Sequence, residues 1–431
     1  MVFFSYRSPD QEFASSSKDS NDRQEQVESS GSTADQVKDE SQVSGLDDDS
    51  KPPKESDKKE PVDNESEKSD EQESDGDRSE DLMVEPRTYR EKEKDPPDQA
   101  LSYQRTIAGV PSPKGAAISP IGDELWVTSL MNERTAVYIF QLSDGEFLEG
   151  VTLPGGGAVE VIFDPEGDSA YVSQMETGRV FEIAVDDKEV VNTLETGDSW
   201  TKVMALDPDG DNLWASNWTG NSVTQFSLSS HKRTGTISSV QTPRGLFMPD
   251  ENTLYVAGFE NGEIQRINTE TAQSQVVHRS GGAMRHITGT EDGSVLYFSD
   301  MGKGEIIEYD RNNEEFSKFA ETDTNPNTIT LSPDEKMLFI SCRGRNDPVS
   351  YYQPGPEWGT VQIRDISSGD LLDVIVGGDQ PTALDISPDG KTLVFSNFLN
   401  DELQIYSVPK YAELKNMEGG RASTYRDDML K

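Results

Sequence analysis

Residues 386–395 read Ile-Ser-Pro-Asp-Gly-Lys-Thr-Leu-Val-Phe, and six earlier stretches repeat the pattern. They are ISPIGDELWV (118–127), FDPEGDSAYV (163–172), LDPDGDNLWA (206–215), FMPDENTLYV (247–256), GTEDGSVLYF (289–298) and LSPDEKMLFI (331–340). In most of them an apolar strand runs into a Ser/Asp-Pro pair. Proline fixes φ and donates no ladder hydrogen bond, so it closes the strand at a turn. Asp-Gly, or a substitute, makes a tight hairpin, and a β-branched and aromatic strand follows. The starts lie 45, 43, 41, 42, 42 and 55 residues apart, a period that fits four-stranded units stacked around an axis. A single unit cannot bury both faces of its sheet, whereas seven around an axis can.

The ends of the array say how it closes. Thr392–Phe395 is the second strand of the last unit and Leu403–Val408 the third, with no fourth after it. Tyr103-Gln-Arg-Thr-Ile-Ala stands where a fourth strand belongs, with no unit before it. Joining the two pieces predicts an all-β, seven-bladed β-propeller over residues 101–410, with N- and C-terminal strands sharing one blade. Residues 411–431 then read as a polar C-terminal tail.

The unit Ser387-Pro-Asp-Gly-Lys-Thr-Leu-Val-Phe-Ser-Asn resembles the YVTN-type seven-bladed propeller family, a relative of the lactonase-like propellers, and the likeness runs over residues 102–408. The Gly-His and Trp-Asp signals of WD40 blades are absent. The resemblance supports the fold; because such scaffolds host unrelated activities, it leaves the function open. It also implies an extracytoplasmic setting, periplasmic or at the cell surface. Against that, Met1-Val-Phe-Phe-Ser-Tyr-Arg is too short for the apolar core of a secretory signal.

Charge narrows the function classes. The 431 residues include 81 acidic and 39 basic side chains, for a net charge of −42. Residues 1–100 hold 30 of the acids and 14 of the bases, net −16; the remaining 51 and 25 leave −26 on the rest. The first hundred residues contain no Ile or Trp and only Leu46 and Leu82, so they are expected to be a disordered acidic linker. Such a surface repels phosphate backbones, which argues against nucleic acid as a partner. No apolar run is long enough to span a membrane as a helix. One cysteine, Cys342, and three histidines, His231, His278 and His286, leave no intrachain disulfide, thiolate zinc site or multi-histidine centre. No metal or cofactor is expected, and the domain is expected to be a monomer.

In a propeller the innermost strands start at one end of the central channel, and the loops between second and third strands gather at the same end. The strand starts carry Lys114, Glu160, Lys202, Arg244, Arg285 with His286, Asn327 and Thr382. Four blades thus offer a cation in a strongly acidic domain. At roughly 10 Å and an effective dielectric of about 20, each like-charged pair costs about 1.7 kcal/mol, against about 0.4 kcal/mol in a water-filled pore. The dry case calls for a counter-anion, from Glu160 or a ligand; the alternative is that these bases bond to carbonyls of neighbouring blades. The loops carry Trp218, Phe259 and Phe398. They also hold the long insertion of the sixth unit, Arg343-Gly-Arg-Asn-Asp-Pro-Val-Ser-Tyr-Tyr-Gln-Pro-Gly-Pro-Glu-Trp-Gly. Its Arg343, Arg345, Tyr351, Tyr352 and Trp358 are residue types favoured in binding hot spots. They are expected to shape a ligand or partner surface, or else to pack inward and plug the channel. Cys342 reads as a buried thiol and His286 as a structural histidine or a general base.

Three functions fit. The favoured one is a binding or scaffold protein whose channel-mouth face takes a partner protein or an anionic small ligand. The second, drawn from the resemblance, is a lactone hydrolase or lyase at the mouth. The third is a structural cell-surface component.

Overall fold

A computed structural model describes residues 93–132, 134–417 and 420–430. The expectation for the acidic segment therefore lies, up to residue 92, outside the described residues.

Seven four-stranded antiparallel sheets form the blades of a propeller. Blades one to six run consecutively, and blade seven is assembled from both ends of the domain: Pro381–Ile386, Thr392–Asn397 and Glu402–Ser407, with Ser102–Ala108 as the outermost strand. Ser102 pairs with Ser407 and Ala108 with Glu402. The closure is the one that the missing fourth strand demanded.

Each repeat packs on the next, and apolar clusters lie between blades rather than within them. Trp126, Val137 and Ile139 of blade one meet Val161, Ala170 and Phe181 of blade two; Phe339, Val361 and Ile363 of blade six meet Leu393, Phe395 and Tyr406 of blade seven. The hairpin motif contributes to the same seam. Gly167 and Gly210, both at left-handed φ, sit against Pro120 and Pro165 of the preceding blade. A side chain at Gly210 would come within 3.1 Å of that proline. In blade six Glu335 takes the glycine place at φ 55°, and its carboxylate accepts the Glu291 N–H of blade five at 2.5 Å.

A hydroxyl clip fastens the inner ring. The fifth residue of the second strand is Thr128, Ser173, Ser216, Ser299, Ser341 or Ser396 in six blades. Its oxygen accepts an N–H from its own innermost strand and donates to a carbonyl of the next blade. Ser216 Oγ, for example, takes the Val203 N–H at 3.0 Å and reaches the Arg244 carbonyl at 3.1 Å. Ser173 likewise joins Glu160 N–H to the Lys202 carbonyl, and Ser299 joins His286 N–H to the Asn327 carbonyl. Blade four has Ala257 in this place and so no clip.

The described residues of the segment read as a polar tail bury Leu414 between blades six and seven and Tyr425 and Met429 on blade six. The Trp358 N–H donates to the Met429 carbonyl at 2.8 Å, and the Tyr425 hydroxyl to Asp323 at 2.9 Å.

Candidate ligand site at the channel mouth

Two rings of residues meet where the innermost strands begin. The clips set their register. Lys114, Val159, Lys202, Arg244, Arg285, Asn327 and Thr382 occupy equivalent places, and Glu160 and His286 lie one residue further along their strands. Two residues before this ring, Ser112, Trp200, Thr242, Asn325 and Gln380 all have left-handed φ between 46° and 60°. That backbone is strained for non-glycine residues and collects where a structure over-determines it. It turns each chain sharply into the axis. The carbonyl of each of these corner residues accepts an N–H from the residue just after the second strand, as that of Trp200 does from Trp218 and that of Gln380 from Phe398.

Those partners form the second ring, a collar of Leu130, Met175, Trp218, Phe259, Met301, Arg343 and Phe398. Six of the seven are apolar, and most are buried. Leu130, Met175 and Met301 escaped the reading of the sequence, although each stands one place after a repeat strand. Of the two arrangements open to these residues, the buried ones take the inward one. Phe259, Phe398, Arg343, Tyr351 and Trp358 do not project as a docking surface; all are buried. Tyr352 and Trp218 are half-buried, and Arg345 is exposed and paired with Glu357 at 3.0 Å. A list of loop residues shows no direction, and large aromatic surfaces gain more by turning inward.

The buried cations give the aromatics something to cover. Lys202 Nζ lies 4.8 Å from the Trp200 ring centre, 5.1 Å from that of Trp218 and 2.9 Å from Met175 Sδ. Lys114 Nζ is 5.0 Å from the Phe398 ring centre and 3.3 Å from the Tyr351 hydroxyl. The Arg343 guanidinium stacks 4.2 Å from the Tyr351 ring and bonds Gln380 Oε1 at 2.5 Å. Gln380 Nε2 in turn donates to the Tyr351 carbonyl at 2.8 Å. The ring contacts place positive charge on the negative face of a ring, which partly offsets its loss of water. The insertion therefore bends over the mouth, and Tyr351 is seated in it.

Close to the cations lie a carboxyl and an imidazole. Glu160 and His286 are surrounded by protein yet retain partial accessibility, as do Thr328 and Asp385. Burial raises the Glu160 carboxyl to about 7, against the pull of Arg244, Arg285 and Lys114. Burial, then Arg285 and Arg244, lowers His286 to about 3, so its imidazole is neutral at pH 7. Asp385, which the sequence reading passed over, is raised to about 6 by burial and accepts the Ile118 N–H of blade one at 2.8 Å. Among the described residues His286 Nδ1 and Asn327 Oδ1 have no hydrogen-bond partner. Lys114, Glu160, Arg244, Arg285 and His286 are thus one electrostatic unit. Lys202 belongs to the aromatic collar instead, and Asn327 donates to the Thr382 carbonyl at 3.3 Å.

The arrangement matches a family model described as a lactonase, seven-bladed β-propeller, over residues 110–281 and 265–425. The chain belongs to the lactonase seven-bladed β-propeller family. Among curated relatives, antigen Lp49 of Leptospira interrogans is 31% identical over 259 residues, 58% of this chain and 57% of that protein. A 6-phosphogluconolactonase of Klebsiella pneumoniae is 31% identical over 140 residues, covering 28% of this chain and 41% of the enzyme. Another from the same species is 25% identical over 195 residues, 41% and 58% of the two chains. In each case the match spans less than two thirds of the relative's length. Hydrazine synthase of Kuenenia stuttgartiensis shares the fold, with a TM-score of 0.60 at 16% identity over 70% of this chain and 97% of that one.

Proposed function

We propose that this family member is a binding protein whose channel mouth holds a small anionic ligand. The observation that carries the reading is the convergence of Lys114, Arg244 and Arg285 on Glu160, which is itself held near neutrality by burial. With Glu160 largely protonated, Lys114, Arg244 and Arg285 set up a positive field at the mouth of a domain with a surplus of acids. Such a field favours a small anion over other ligands. A thermal-shift screen with phosphate, citrate, gluconate and benzoate at pH 6 tests it. At least one anion should raise Tm, and Arg244→Glu with Arg285→Glu should abolish the rise. A shift that survives both reversals places the ligand elsewhere.

One observation favours a second reading, lactone hydrolysis. A carboxyl near pH 7 and a neutral imidazole beside two guanidinium groups is a workable general acid–base pair with charge available for an oxyanion. Two of the relatives are named as lactonases. Hydrolysis of gluconolactone faster than the spontaneous rate, lost in Glu160→Gln, supports it; a rate no different from buffer removes it.

A further inference from the structure

We infer that residues 420–430 are a strap that couples the chain's entry into the propeller to the insertion over the channel mouth, so that the insertion loosens when the entry is displaced. The coupling is independent of what the mouth binds. One end of the strap holds the entry. The Asp98 carbonyl accepts the Arg421 N–H at 3.1 Å, and the Asp98 carboxylate accepts both Arg421 Nη1, at 3.3 Å, and the Thr424 hydroxyl. Arg421 is buried, and its other nitrogen reaches Asp428 at 2.5 Å. Beside it the outermost strand of blade six, Leu371–Val376, offers Asp373, which accepts the N–H groups of Ala100 and Leu101 at 2.9 Å each.

The other end of the strap holds the insertion. Tyr425 and Met429 pack with Trp358, Val374 and Val376, and the Trp358 N–H donates to the Met429 carbonyl at 2.8 Å. The Tyr425 hydroxyl donates to Asp323. That carboxylate also accepts the Thr360 hydroxyl at 2.7 Å and the Gln362 amide at 2.9 Å, on the strand into which the insertion returns. The Arg345 N–H donates to the Glu357 carboxylate at 3.0 Å and closes the two stems on each other. Whatever holds Trp358 therefore holds the loop that carries Tyr351. Nothing in the strap folds alone. Its helices, Arg421–Ser423 and Arg426–Met429, have three and four residues, far short of a length that is stable in water without packing. Arg421, Tyr425 and Met429 are its buried anchors. Removing the Asp98 charge deprives a buried guanidinium of one of its carboxylates, and a segment this short leaves as a unit.

Hydrogen exchange of the full chain, read by mass spectrometry, tests the coupling from both ends. Asp98→Asn should speed exchange in residues 346–359 about tenfold or more, with the strands of blades two to four still protected. Trp358→Leu should in turn speed exchange in residues 98–103, because coupling between two places is reciprocal. The single Cys342, buried beside Thr360 and Asp323, gives a second readout: its reaction with a maleimide should accelerate in both variants. Thr424→Val, a milder change, should give the Asp98→Asn pattern at smaller amplitude. If Asp98→Asn loosens residues 93–103 and 420–430 while the insertion and Cys342 keep wild-type rates, the coupling is refuted. Equal loss of protection in every blade refutes it as well, since the strap would then be part of the global fold.

Discussion

The Glu160 carboxyl supplies a sharp test of the channel's electrostatics. With an ordinary value of 4.5 in the unfolded chain and about 7 in the fold, it prefers to be neutral when folded. Its contribution to stability is therefore fully present below pH 4.5 and is lost as pH rises through 7. The difference of roughly 2.5 pH units corresponds to about 3 kcal/mol, an order-of-magnitude figure, lost between pH 4.5 and somewhat above 7. Glu160→Gln replaces the protonated carboxyl with a neutral group of the same shape. Below pH 4.5 the two proteins should be about equally stable. At pH 8 the variant should be the more stable by about 3 kcal/mol. Urea unfolding of both proteins at pH 4.5, 5.5, 6.5 and 8 measures this, because the other 80 acidic groups are common to both and cancel. A difference that stays flat across this range, or a variant less stable at pH 8, would show a carboxylate ionised throughout and held by Arg244 and Arg285. The channel would then be self-neutralised, and the case for an anionic ligand would weaken sharply.

Other outcomes follow from named contacts. Ser216→Ala removes a clip between blades three and four and should cost about 1–2 kcal/mol in denaturant unfolding, with the m-value unchanged. Ala257→Ser supplies the one missing clip, toward the Arg285 carbonyl, and should raise Tm; a fall would mean that the pocket has no room for the hydroxyl. The His286 ring protons should show no titration between pH 5 and 8 in NMR spectra, since burial and two guanidinium groups hold the imidazole neutral; a midpoint near 6.5 would put it in open solvent. Deleting residues 420–431 should speed amide exchange in residues 343–359 and leave the blade strands protected, because Trp358 loses Tyr425 and Met429; uniform loss of protection would make the segment part of the global fold.

Architecture was legible because each blade repeats the same local chemistry. Pro388-Asp-Gly sets a turn wherever it occurs, and the absent fourth strand after Leu403–Val408 left the N-terminal strand as its partner. The cation ring was legible for a similar reason, since its members sit at a constant distance before the proline. What the repeat could not convey was depth and direction. Trp218 and Phe398 look alike on an exposed loop and in an inward collar, and only the left-handed corners at Trp200 and Gln380 distinguish them. Met175 and Met301 carry no signal of their own, because methionine after an apolar strand looks like more strand. The serine following Leu-Val-Phe belongs to the motif, yet its bond to the next blade depends on a neighbour far away in sequence. Asp385 was hidden among apolar residues, and its purpose becomes clear only once Ile118 of the closing seam stands beside it. The buried face of the C-terminal segment belongs to the same class: Tyr425 and Met429 have no periodicity, and Trp358 is their reason for being apolar.

The central claim is an anion site built from the inner cations. Calorimetric titration of benzoate into the wild type, Arg244→Gln/Arg285→Gln and Arg279→Gln at pH 6 and pH 8.5 tests it most directly. Arg279 is exposed on an outer strand and paired with Glu263 at 2.7 Å, so it controls for net charge. Binding is expected for the wild type and for Arg279→Gln, weaker at pH 8.5 once Glu160 is ionised, and none for the double variant. Undiminished binding by the double variant, or a loss of equal size in Arg279→Gln, would contradict it.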